Sequence, residues 1–180
     1  MNKSTMAPAI LILLLLVLAG PTMGEDSFEA FGLTRPATRV PAPPFTLKGL
    51  DGEETNLEGL KGRLVVLNFW ATWCEPCRVE MPSLARLSGK FQGKGLIVIA
   101  VAGDRGLFAR KNVKKFLAQY PLEFPVLIDP EGAVRKTYEV VYLPTTYIIG
   151  RDGLIIGKVT GERIWDGKEA REFFNAVLEE

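Results

Sequence analysis

Leu64-Val65-Val66-Leu67-Asn68-Phe69-Trp70, followed by Ala71-Thr72-Trp73 and then Cys74-Glu75-Pro76-Cys77-Arg78, is the stretch on which the reading of this chain turns. Its first seven residues form a nearly continuous apolar run, the pattern of a central strand buried on both faces. Downstream, Met81, Leu84, Ser88 and Phe91 recur at helical spacing, with Leu87 widening the face, so a helix begins at or just after Cys74. Pro82 is expected to kink it. Gly93 and Gly95 close the helix, and Leu96-Ile97-Val98-Ile99-Ala100-Val101 reads as a second buried strand. Strand, helix and strand in this order make a parallel pair joined by a crossover.

On the N-terminal side, Phe45-Thr46-Leu47 and the stretch from Glu54 to Leu57 flank Leu50-Asp51-Gly52, a hairpin with a glycine-assisted turn added to the sheet. On the C-terminal side, Ala109, Val113, Phe116, Leu117 and Tyr120 mark a second amphipathic helix, and Phe124-Pro125-Val126-Leu127-Ile128 returns to extended chain. Pro125 belongs at the start of that strand or on an edge. Glu131 to Tyr138 fits a short helix. Thr145 to Ile149 and Leu154 to Val159, separated by Gly150-Arg151-Asp152-Gly153, form a hairpin, and Ala170, Phe173, Phe174, Val177 and Leu178 mark a closing helix.

A length of 180 residues suits one domain with an extension, and 47% hydrophobic with 24% charged residues is an ordinary globular balance. Residues 1–24 stand apart, because Lys3 precedes an apolar run from Ala7 to Ala19 without a charge. They read as a signal peptide, with cleavage after Gly24 or after Ala19, and with an uncleaved anchor as the alternative. Of 22 basic and 21 acidic residues only Lys3 lies in this segment, so the remainder carries 21 of each and offers no electrostatic case for nucleic acid. Glu25 to Pro44 include five prolines or glycines and little periodic apolar pattern, so residues 25–42 read as a flexible lead-in to a domain over 43–180.

The chain has two cysteines, three apart, and no histidine. Two thiols alone are a poor start for a zinc site, and hydrolases of the usual kind lack their imidazole base here. A structural disulfide is the plain alternative, yet it would close too short a loop to stabilise much. Cys-x-x-Cys beside a βαβ unit is the pattern of a redox pair. At a helix N-terminus, Cys74 faces unpaired N–H groups and the positive end of the dipole, which favours its thiolate, the nucleophilic form. Cys77, nearly one turn on, lies inward and can resolve a mixed disulfide. Pro76 is tolerated in the first turn and stiffens the backbone between the sulfurs. Such a pair carries its electrons itself and calls for no cofactor or metal.

The run Asn68-Phe69-Trp70-Ala71-Thr72-Trp73-Cys74-Glu75-Pro76-Cys77-Arg78 resembles the active-site signature of the thioredoxin superfamily, and specifically its TlpA/ResA-like group, a redoxin or AhpC/TSA-like grouping. The resemblance runs from about Pro43 to the C-terminus and includes the hairpin, the insert after the second strand and Tyr142-Leu143-Pro144-Thr145-Thr146. It implies an α/β, thioredoxin-like fold: a central mixed β-sheet flanked by helices, with an added N-terminal β-hairpin and a central insert. It also implies that Pro144 is a cis-proline facing the disulfide and that Leu143 offers its backbone to an extended substrate strand beside Thr145. Core packing is the plain reading of both tryptophans, and the expectation is that Trp70 packs in the core while Trp73 borders the site. Asn68 stands where cytosolic thioredoxins carry a buried carboxylate, and the group suggests Asp104 from the insert as the acid instead. A surface-loop aspartate is the competing reading. Glu80 is a second candidate for proton transfer, although Glu80 and Arg78 are by default solvated helix residues.

The resemblance implies a disulfide reductase outside the cytoplasm, periplasmic or secreted. Its partners would be disulfide-bearing or dithiol proteins such as apocytochrome c, and a membrane electron donor. An oxidase or isomerase is the alternative, but such oxidants carry histidine between the cysteines and this chain has Glu75, whose carboxylate opposes the thiolate. A peroxiredoxin-type peroxidase, with antioxidant activity, is weaker still. Leu67 and Ala71 occupy the positions where that type has proline and threonine. A binding module with a merely structural disulfide is the non-enzymatic reading.

Overall fold

The computed structural model describes Phe28, residues 30–120 and residues 122–179. The signal reading of residues 1–24 and both cleavage sites lie outside these residues. Among the described residues no helix is long and apolar enough to cross a membrane.

Seven residues of β4 (Leu64–Trp70) are all buried, because the strand is covered on both faces. Alternation divides them: Leu64, Val66 and Trp70 face one apolar cluster, and Val65, Leu67 and Phe69 face another. α1 (Glu75–Phe91) then crosses to β5 (Leu96–Ala102), which pairs parallel with β4 from Leu64↔Leu96 to Trp70↔Ala102. The helix lays Met81, Leu84, Leu87 and Phe91 on the first face and runs unbroken through Pro82, which is exposed and so leaves its lost hydrogen bond at the surface.

α2 (Ala109–Gln119) and β6 (Val126–Ile128) repeat the crossover, with β6 parallel to β5. Beyond β6 lies the hairpin of β2 (Thr46–Gly49) and β3 (Glu54–Asn56). α3 (Ala133–Thr137) leads toward β7 (Thr145–Ile149), which pairs antiparallel with β4 and is followed by β8 (Leu154–Thr160) and α4 (Lys168–Glu179). With β1 (Val40–Pro41) on β8, the sheet order is β1-β8-β7-β4-β5-β6-β2-β3. This is the mixed sheet with an added hairpin and central insert expected from the sequence.

The segment read as a flexible lead-in differs in its described part. Phe28, Phe31 and Leu33 are buried, and Phe31 stacks on Phe173 at 5.5 Å and meets Trp165 edge-on at 5.4 Å. Thr34 exchanges both backbone hydrogen bonds with Lys158, and Ala42 N–H donates to Gly153. The apolar face of α4 and β8 needs a cover, and two aromatics three residues apart supply it despite the prolines that follow.

Candidate active site

The site is assembled at the C-terminal end of β4. Cys74 N–H donates to the carbonyl of Ala71, and Cys74 itself caps α1 in an extended conformation, its Sγ accepting the Cys77 N–H at 3.3 Å. Pro76 sits in the first turn, where no intrahelical donor is required. The two cysteines are joined as a disulfide with Cα atoms 5.3 Å apart. Their burial differs in the expected sense: Cys74 retains 6% exposure and Cys77 none. Glu75 projects into solvent and pairs with Arg78 at 2.9 Å, so its charge is partly offset one turn along the helix.

Glu80 corrects the expectation of a solvated helix residue, being only 2% exposed. It shares the inward face of α1 with Cys77, one turn away. Its Oε1 accepts from Asn68 Nδ2 at 2.8 Å, and its Oε2 accepts from Trp165 Nε1 at 2.9 Å and from the Arg163 N–H at 3.1 Å. Burial raises its pKa to about 7, these hydrogen bonds opposing the rise and the charge of Glu162 adding to it. A carboxyl with its pKa there is populated in both protonated and ionised forms near neutral pH. Asn68 also donates to Thr146 Oγ1, while its own Oδ1 has no partner among the described residues.

Asp104 is not a surface-loop residue either. It is buried, and its carboxylate accepts from the N–H of Thr72 at 2.9 Å and from the Thr72 hydroxyl. The insert thereby clamps the loop that carries Trp73 and Cys74. Asp104→Ala would leave two polar groups of Thr72 without their partner, and is expected to lower unfolding stability by about 1–3 kcal/mol in urea denaturation of the oxidised protein. A change below about 0.5 kcal/mol would mean that the loop does not depend on the clamp.

The peptide bond between Leu143 and Pro144 is cis. Leu143 is half-buried, whereas Thr145, expected beside the substrate, is buried with its hydroxyl donating to the Tyr142 carbonyl at 2.7 Å. Its hydroxyl is thus engaged within the loop itself. Trp73, 67% exposed, stands on the rim with Val141 and Tyr142, and Trp70 is fully buried against Phe116. Sequence reading missed Trp165, Arg163 and Thr72. The first two lie more than 80 residues from Glu80, and no local pattern ties them to it.

The AhpC/TSA family profile matches residues 38–158, which hold the cysteine pair, its helix and the Pro144 loop. The chain belongs to the AhpC/TSA family. It is 38% identical over 154 residues to the thiol-disulfide oxidoreductase ResA of Bacillus thuringiensis subsp. konkukian, covering 84% of this chain and 87% of the relative. It is 46% identical over 114 residues to the thioredoxin-like protein YneN of Bacillus subtilis, covering 63% of this chain and 66% of that one. A crystal structure from Chlorobium tepidum, described as a candidate thiol:disulfide interchange protein DsbE, superposes with a TM-score of 0.72 at 35% identity over 81% of this chain and 99% of its own. This AhpC/TSA member is therefore a ResA-like thiol-disulfide oxidoreductase with the thioredoxin fold.

Proposed function

We propose that this oxidoreductase reduces protein disulfides outside the cytoplasm, with Cys74 as attacking thiol and Cys77 as resolving thiol. The observation that carries the reading is the asymmetry of the pair: Cys74 at the helix cap on the rim, Cys77 sealed beneath it. In the reduced protein the Cys74 thiolate attacks a substrate disulfide, forming a mixed disulfide and releasing one substrate thiolate, which takes a proton from water. Cys77 then loses its proton, with Glu80 as the acceptor one turn away, and attacks Cys74 Sγ. The second substrate thiol leaves, and two electrons have passed from the cysteine pair to the substrate. A dithiol donor must return them. Asp104, engaged by Thr72, holds the loop in this scheme and moves no proton.

The charged residue and apolar run at the N-terminus support export, and a membrane-bound donor would suit that location. The resemblance to the TlpA/ResA-like group suggests the haem-attachment cysteines of apocytochrome c as one substrate. Reductant poise follows from the motif, which offers the thiolate Glu75 where strong oxidants have histidine, so the potential should lie toward about −270 mV rather than about −120 mV. Because Arg78 pairs with Glu75, Glu75→His is expected to raise it only modestly.

Three measurements test the scheme. The protein should catalyse insulin reduction, Cys74 should be alkylated before Cys77 in the reduced protein at neutral pH, and Cys77→Ser should accumulate mixed disulfides. Faster labelling of Cys77, or a potential above about −150 mV against glutathione, would overturn it.

A further inference from the structure

Beside the rim of the site lies a hollow of about 560 Å³ that the exchange scheme does not use. Trp73, the neighbour of Cys74, forms one side, and Val141, three residues before Pro144, forms another. The rest is dominated by Arg105, Arg135 and Lys136, opposed by one carboxylate, Glu131. The hollow thus adjoins the residue before Cys74 and the segment that leads into the Pro144 loop, and its charge is cationic.

Arg135 Nε donates to the Val140 carbonyl and Nη2 to the Val141 carbonyl, both at 3.0 Å, while the Arg135 backbone N–H is bound by Asp129 at 2.8 Å. Its guanidinium is thus fixed by neutral carbonyls, which orient the charge without cancelling it. Arg105 lies over Gly132, where an added Cβ would come within 2.7 Å of its Nη2, so the glycine leaves the guanidinium room. Among the described residues none of these three cations has a carboxylate within salt-bridge distance, whereas Lys61, Arg78, Arg86 and Lys168 each find one.

The concentration is local, since the whole chain carries a formal charge of only +1. From Arg105 to Gln119 there is no acidic residue at all, so the chain that follows Arg105 brings no carboxylate to offset it. Exposed charges of this kind steer an oppositely charged partner and select among partners more than they tighten binding.

We propose that this hollow is a carboxylate subsite for the polypeptide being reduced, taking an aspartate or glutamate that lies a few residues from the substrate cysteine. Arg135 supplies a fixed floor, and Arg105 and Lys136 close on the carboxylate from the walls. The proposal rests on the reductase reading, because it assigns the hollow to the same substrate whose sulfur meets Cys74.

Two disulfide-bonded peptides, identical except for glutamate or lysine at one position near the cysteine, test it in the reduced protein. The kcat/KM ratio of glutamate to lysine peptide is expected to be on the order of tenfold at low salt and to shrink at high salt. In the Arg105→Glu/Lys136→Glu double variant the ratio should invert, and in Arg105→Gln/Lys136→Gln it should approach one. Equal rates for the two peptides in the wild type would overturn the subsite and leave the reductase reading standing. So would a wild-type preference that both double variants retain. A wild type that reduces neither peptide would remove the reductase reading and the subsite together.

Discussion

Cys74→Ser is expected to leave no detectable turnover of insulin disulfides while the domain stays folded. Serine is among the strongest helix N-cap residues, so its hydroxyl can keep the cap that the Cys74 sulfur now provides to the Cys77 N–H. The hydroxyl has no route to becoming a nucleophile, since the chain contains no histidine to take its proton. Cys77, fully buried, cannot take over the first attack. The fair reference for stability is the reduced wild type, because the oxidised protein carries a crosslink that the variant lacks. Thermal unfolding within a few degrees of that reference, together with absent turnover, makes the defect chemical. Activity within tenfold of wild type would place the attacking thiol elsewhere.

The second large effect is expected from Glu80→Gln, and it has a definite sign with pH. Burial raises the Glu80 pKa from 4.5 to about 7, so between these values the folded protein holds a proton that the unfolded chain has released. Stability should therefore fall as pH rises through that window and level off above it. A shift of this size corresponds to about 3 kcal/mol, an order-of-magnitude figure for a buried group. Glutamine cannot ionise, so the variant should lose this slope and gain stability above pH 7. The gain is reduced by the amide N–H₂ meeting a donor, which costs about 1–3 kcal/mol unless Asn68 turns its unpartnered Oδ1 toward it. In exchange kinetics the same variant should slow the resolving step and erase its titration near neutral pH. Measured urea midpoints and mixed-disulfide lifetimes from pH 5 to pH 8 test both parts. A variant that keeps the wild-type slope and the wild-type profile would remove Glu80 from the mechanism.

The strand, cysteine pair and helix from Leu64 to Phe91 were legible because every signal there is local: an apolar run, a cap, a 3.6-residue period. Glu80 lay within reach of the same reasoning, since it falls on the face that Cys77, Met81 and Leu84 define. A charged residue on that buried face requires partners that satisfy it in the interior. Those partners, Asn68 and Trp165, come from β4 and from the approach to α4, and only the fold brings them together. Asp104 was found through resemblance, but its link to Thr72 depends on the insert folding back against the catalytic loop. For the segment before β1, proline and glycine content outweighed the spacing of Phe28 and Phe31, whose burial depends on a helix at the other end of the chain.

The outermost strands of the sheet are two and three residues long, Val40–Pro41 on one side and Glu54–Asn56 on the other. A long bare edge would offer any extended polypeptide a template for further strand pairing. Here proline interrupts one margin, and a glutamate and an asparagine flank the other, each over too short a length to seed further pairing. The margins of the sheet therefore offer an extended polypeptide little backbone to pair with, and the described fold leaves the cysteine pair at the end of β4 as its reactive feature.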